Sequence, residues 1–165
     1  MTAGTDGAAA HAASDVVFAV RRGDVELSTA RERLDVDVIH GFLAASYWSP
    51  DIPRDVVERA LAGSLNFGLY RGGAQMGFAR FVTDRATFAY LADVFVLPAH
   101  RGQGHASWLV ATALTHPALQ GLRRILLATR DQHALYARHG FAPLAAPGRF
   151  MEILRPDIYR VPGGP

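Results

Sequence analysis

Residues 91–109 place a buried strand, a glycine-bearing turn and a helix end to end, an order that makes an anion site. The apolar run Leu91-Ala92-Asp93-Val94-Phe95-Val96-Leu97 reads as a strand that stops at Pro98. Arg101-Gly102-Gln103-Gly104-His105-Ala106 follows, and the stretch from Ser107 to position 114 has helical character with no breaker. The first N–H groups of a helix lack intrahelical partners, and the macrodipole adds partial positive charge there. Glycines let an anion reach that backbone because no Cβ stands in the way. A diphosphate is the natural guest. Neither common nucleotide loop fits. The P-loop ends in Gly-Lys-Ser/Thr and this chain has no lysine, while the dinucleotide fingerprint needs three glycines and only Gly102 and Gly104 are present.

A second segment narrows the reading. Arg124-Ile125-Leu126-Leu127-Ala128 is a short apolar strand, and the helical stretch after it ends in Tyr136-Ala137-Arg138-His139-Gly140-Phe141. Gly140 suits a helix C′ position, and Phe141 starts another apolar run. Arg101, Gly104 and Ala106 match the Arg/Gln-x-x-Gly-x-Gly/Ala loop that holds the acyl-CoA pyrophosphate in the GCN5-related N-acetyltransferase (GNAT) family. The Tyr136-x-x-x-Gly140-Phe141 pattern is similar to the helix end after that family's fifth strand. The resemblance covers nearly all of the chain from residue 25 to residue 154.

Along the chain, residues 16–20 form a short strand or an ordered leader, and 25–28 a clearer first strand. A helix is expected over 35–46, where Val36, Ile39 and Leu43 recur at helical spacing, and Pro53 opens a second. Residues 67–70 and 75–82 flank Gly72-Gly73, a hairpin signal, and Asp84-Arg85 reverses the chain before 88–97. Residues 141–144 and 150–154 are expected as the last two strands. These elements predict one α/β domain (an α+β mixed sheet) over 15–157, between a leader at 1–14 and a loose tail at 158–165. The resemblance implies about six to seven strands, helices on both faces and a splayed central pair.

Composition excludes several classes. At 165 residues the chain makes one domain, and half its residues are hydrophobic. The absence of cysteine removes disulfide scaffolding, thiolate zinc sites and a cysteine nucleophile. The arginines are scattered and the formal charge is only +2, which argues against a nucleic-acid partner. Histidine spacing suggests no metal site. No stretch is long and apolar enough to span a bilayer, and the first 14 residues lack the pattern of a signal peptide, so a cytoplasmic location is expected.

The resemblance implies transfer of an acetyl group from acetyl-CoA directly to an amine, with no covalent enzyme intermediate. Val94, Phe95, Val96, Arg101, Gly102, Gln103, Gly104, His105, Ala106 and Ser107 are its cofactor-binding candidates. His105 stands where the family usually has Ile, Val or Leu, and tucks over the loop or points to solvent. Tyr136 would be the general acid at the CoA sulfur, or else a half-buried packing residue. Asp93 interrupts an apolar strand, where an unpaired carboxylate is costly. It is either a general base acting through water or a carboxylate bonded to arginine or backbone across the sheet. Asp131, where the family often has Asn, reads as a helix N-cap. His40, Tyr47 and Trp48 could line an acceptor pocket; Tyr47 and Trp48 could equally seal the core. The expected partner is a small-molecule or peptide amine, and a homodimer is left open. The rival reading is a catalytically silent acyl-CoA-binding regulatory or sensor module.

Overall fold

The computed structural model describes residues 16–160. The expected leader at 1–14 and the tail beyond 160 lie outside the described residues. Six strands form one sheet in sequential order: β1 (Ala19–Arg22), β2 (Val25–Ser28), β3 (Leu65–Arg71), β4 (Ala74–Thr83), β5 (Phe88–Val96) and β6 (Arg124–Leu126). Every neighbouring pair is antiparallel except β5 and β6. The expected hairpin and chain reversals are present. At the second, the Asp84 carboxylate accepts the N–H groups of Ala86, Thr87 and Phe88 and closes the turn between β4 and β5.

Two cores lie on opposite faces of the sheet. Helices α1 (Val36–Ala44) and α2 (Arg54–Ala62) bury Ile39, Leu43, Val57 and Leu61 with Phe78 and Phe95. Helix α3 (His105–Ala113) buries Leu109, Val110 and Ala113 against Leu27, Phe67, Leu69, Phe81 and Leu91. The short helix α4 (His133–Ala137) follows β6, and its Tyr136 packs against the α3-side core. Gly140 adopts φ +89° just beyond, as a C′ glycine should.

The two last expected strands do not form. Residues 141–144 and 150–154 carry no ladder, and Met151 and Ile153 are 98% and 90% exposed. Pro143 and Pro147 remove backbone donors from this stretch, and β6 is only three residues long, so it offers a short edge to pair with. The parting strand pair, β5 and β6, therefore lies at the end of the sheet instead of its middle. Tyr159, expected in the loose tail, packs against the α1 and α2 core. Among the described residues no helix is long and apolar enough to cross a membrane.

At Gly77 in β4 the limiting neighbour is backbone and not a side chain. A Cβ added there would sit 2.8 Å from the Phe95 carbonyl oxygen and 3.1 Å from Leu69 Cδ2. A backbone carbonyl cannot rotate away as a side chain can. Gly77→Ala should therefore cost about 1–3 kcal/mol of stability through overpacking. Urea denaturation reads this as a lower midpoint at constant slope; an unchanged midpoint would mean that β4 and β5 separate freely there.

Candidate active site

The site begins where β5 and β6 part. Their ladder has three rungs, Phe88 with Arg124, Ala89 with Ile125 and Tyr90 with Leu126, whereas β5 runs on to Val96. Leu97 N–H donates to Met76 O at 2.8 Å, so strand alternation turns the backbone groups of Val96, and of Val94 before it, away from β4. They face the gap that β6 leaves. The Val96 carbonyl already accepts Arg101 Nε at 2.9 Å, which ties the loop to the strand end.

A bulge in β5 re-aims one residue. Phe78 pairs with Phe95 and Arg80 with Ala92, so Ala79 alone opposes both Asp93 and Val94. Asp93 takes φ +55°, a left-handed conformation that aspartate tolerates better than most residues. Simple alternation from Leu91 would send Asp93 into the α3-side core. The bulge instead puts it on the other face, where it meets Arg80 of β4. Arg80 Nε donates to Asp93 Oδ2 and Trp48 Nε1 to Oδ1, the latter at 3.0 Å. The carboxylate side chain is only 10% exposed, so this pairing is what makes its burial tolerable. It fits the second sequence reading of Asp93, a carboxylate bonded to arginine across the sheet.

The loop has the form expected of an anion cradle. Gly102 and Gly104 both adopt positive φ, at +74° and +76°, and Gly104 is the N-cap residue of α3. A Cβ at either position would meet nothing within 4 Å, so the space above the loop is open. Trp108 N–H, bonded to Gly104 O at 3.1 Å, is the first in α3 to find a helical acceptor. Among the described residues, the N–H groups of Gly102, Gln103, Gly104, His105, Ala106 and Ser107 have none. The Ser107 hydroxyl is bonded to His139 Nε2 at 2.9 Å, linking α3 to the turn after α4.

His105 takes neither course expected from sequence. Its ring is buried beneath the loop, with Arg22 Nη2 3.2 Å from Nδ1 and Arg71 Nη2 3.2 Å from Nε2. Arg71 also donates to Gln103 Oε1 at 3.4 Å and pairs with Asp24 at 2.9 Å. A neutral imidazole can accept from only one of these guanidinium groups. Burial, followed by the charges of Arg71 and Arg22, holds the His105 pKa below its ordinary value. The loop therefore rests on a cationic bed.

A cleft of about 850 Å³ joins these parts across the gap between β5 and β6. From the α1 side come Phe42, Tyr47 and Trp48; from the α3 side come Ala106, Leu135 and Tyr136. Tyr47 and Trp48 are 50% and 42% exposed, so they face the cleft and do not seal the core. His40 is not among the lining residues, because its Nε2–H donates to Ile52 O at 3.0 Å. Tyr136 is pushed up to about 12 by burial and by nearby Tyr47, so its phenol stays protonated at neutral pH. Asp131 lines the cleft 3.9 Å from Arg130 instead of capping α4, whose N-cap residue is Gln132. Sequence reasoning missed Arg80, Tyr90, Arg130 and Tyr159 in this lining. Only Arg80 left a signal there, as a charge inside the apolar run of β4.

Comparisons with known proteins show the family and agree with the fold. A family model described as the acetyltransferase (GNAT) family matches residues 35–141. A GNAT-family protein of Xanthomonas campestris pv. campestris, of known crystal structure, is 48% identical, with TM-score 0.81 over 83% of this chain and 97% of that one. FG08082 of Gibberella zeae, provisionally named an acetyltransferase, is 36% identical over 72% of this chain and 78% of its own. A Clostridium acetobutylicum protein solved with acetyl-CoA shares the fold, at 15% identity and TM-score 0.54, over 72% of this chain and 86% of that one.

The buried, neutral His105 gives stability a pH dependence. Unfolded histidine titrates near pH 6.5. Below that pH the unfolded chain binds a proton that the folded His105 resists, so stability falls as pH drops through this window. His116, also held low by burial, adds to the same slope. The thermal midpoint should fall between pH 7.5 and about pH 5.5, and less steeply in His105→Asn. An identical slope in the variant would mean that His105 is not held neutral by this cluster.

Proposed function

Because the chain belongs to the GNAT family of acetyltransferases, we propose that it transfers an acetyl group from acetyl-CoA directly to an amine. The observation that carries the reading is the run of unpartnered N–H groups from Gly102 to Ser107, set beside the unpaired edge of β5. A pyrophosphate suits the former and an amide-bearing arm such as pantetheine the latter. Arg101, tied to Val96 O, would keep the two halves of that binding surface in register. The neutral His105 ring would act from beneath the loop by positioning the Arg22 and Arg71 guanidinium groups that carry the charge there.

The chemistry has three requirements; residues meet two of them, and water in the cleft meets the third. The amine lone pair attacks the thioester carbonyl carbon, and the oxygen that gains charge needs a donor; the N–H of Val94 or Val96 faces the gap where that oxygen would lie. The carbon–sulfur bond then breaks, and the departing thiolate takes the proton of the Tyr136 phenol, which regains one from solvent. An acceptor that enters as an ammonium gives one proton to water in the cleft before its lone pair attacks, and the nitrogen gives a second after the new bond forms. Asp93 is assigned to orienting the amine and Trp48, because both of its carboxylate oxygens already receive a donor. Holding both reactants in one cleft supplies much of the remaining rate gain. The placement of a protonated phenol on the cleft wall favours this reading over a catalytically silent binding module.

Two variants separate the parts of this reading. Gly104→Val puts a branched side chain into the open space above the loop, at a φ that valine avoids. Calorimetry should show CoA affinity lost, with circular dichroism unchanged; full affinity in the folded variant would remove the loop from the proposal. Tyr136→Phe keeps the ring and its contact with Phe141 while deleting the proton. Turnover should fall by roughly a hundredfold or more, with acetyl-CoA affinity nearly unchanged. A drop smaller than about threefold would return Tyr136 to a packing role.

A further inference from the structure

We infer that the amine acceptor is an aromatic monoamine, with its ring carried one or two carbons from the nitrogen; this rests on the acetyltransferase reading above. The cleft is walled by Phe42, Tyr47, Trp48, Tyr90, Tyr136 and Tyr159, which approach from α1, β5, α4 and the C-terminal segment. Those on the α1 side form a continuous aromatic surface. Tyr47 meets Trp48 edge-on at 5.0 Å, Trp48 lies 6.1 Å from Phe42, and Phe42 stacks on Phe95 at 4.0 Å. Large rings half open to solvent at the mouth of a cleft are surface that a flat apolar ligand would cover.

Charge selects within that class. The lining holds three arginines (Arg80, Arg101, Arg130) and two aspartates (Asp93, Asp131), and no other charged residue among those described. Each aspartate faces an arginine, Asp93 facing Arg80 and Asp131 facing Arg130. One ammonium can approach Asp93 beside Trp48, where a ring on the acceptor would also meet the indole. A second ammonium would meet a lining that carries one more arginine than aspartate, and Arg130, stacked on Tyr47 at 3.9 Å beside Asp131, would repel it. The cleft therefore favours a single charge on an aromatic frame and disfavours a polyamine.

The test is a panel of amines with acetyl-CoA, reading thiol release. 2-Phenylethylamine and tryptamine should exceed spermidine and cyclohexylethylamine in kcat/KM by about tenfold or more. Tyr47→Leu and Trp48→Leu, both at exposed positions, should erase that preference while leaving acetyl-CoA affinity unchanged by calorimetry. Equal or better turnover of spermidine or the cyclohexyl amine overturns the acceptor assignment, as does an aryl preference that survives both variants. Thiol release with another amine class while the aryl amines stay idle overturns it also, and leaves the acetyltransferase reading standing. Failure of acetyl-CoA to bind at all overturns that reading, and the acceptor assignment with it.

Discussion

Three rungs of parallel ladder hold β5 to β6, and the rest of the candidate site follows from where that ladder stops. A strand that leaves its neighbour exposes N–H and C=O groups, and each buried group without a partner costs about 1–3 kcal/mol. The parting persists because other contacts oppose its closure. Arg101 takes the Val96 carbonyl, Ser107 and His139 hold α3 to the turn after α4, and the Asp93 bulge sets the end of β5 out of register with β4. Each contact spends a polar group on keeping the gap open. What remains unpaired along β5 faces a cleft that water or a ligand backbone can satisfy.

The bulge explains how one cleft reaches both faces of the sheet. Before it, Ala89 and Leu91 point to the α3-side core; after it, Val94 and Val96 do so, and Phe95 joins the opposite core. A strict alternation would have placed Asp93 among the leucines under α3, on the face opposite Arg80. One extra residue moves it to the face that carries Arg80 and Trp48, at a conformational cost on the order of 1 kcal/mol for a left-handed aspartate. The ion pair and the bulge depend on each other. Removing Arg80 would leave a buried carboxylate at a strained position, which is why an arginine inside an apolar strand is tolerated here.

Much of this was legible in sequence, and the losses share a cause. The loop was readable because its glycines, its helix start and its preceding strand are contiguous, and backbone conformation there depends on local residues. Tyr136 was readable for the same reason, through Gly140 and Phe141. Ion pairs between strands leave almost no local trace, so Arg80 was missed, and a bulge cannot be counted from a single strand. His105 was misplaced because its ring is fixed by Arg22 and Arg71, which lie 83 and 34 positions away along the chain. The last two expected strands failed for another reason. Alternating apolar residues at 150–154 suit a strand, but a strand also requires a free edge of sufficient length, and β6 supplies three residues.

The division of labour between the faces bears on the order of chemical events. The glycine loop and Tyr136 belong to the α3 side, whereas Tyr47, Trp48 and the Asp93–Arg80 pair belong to the α1 side. Two reactants entering a cleft from different sides of one sheet do not compete for the same wall. They can be present together, which direct transfer demands and a covalent relay through the enzyme does not. A chain without cysteine and with a protonated phenol at the junction is suited to the first course. On the mechanism proposed above, catalysis would depend less on an activated side chain than on how firmly the two strands are held apart, since their separation would fix the distance between the reacting groups.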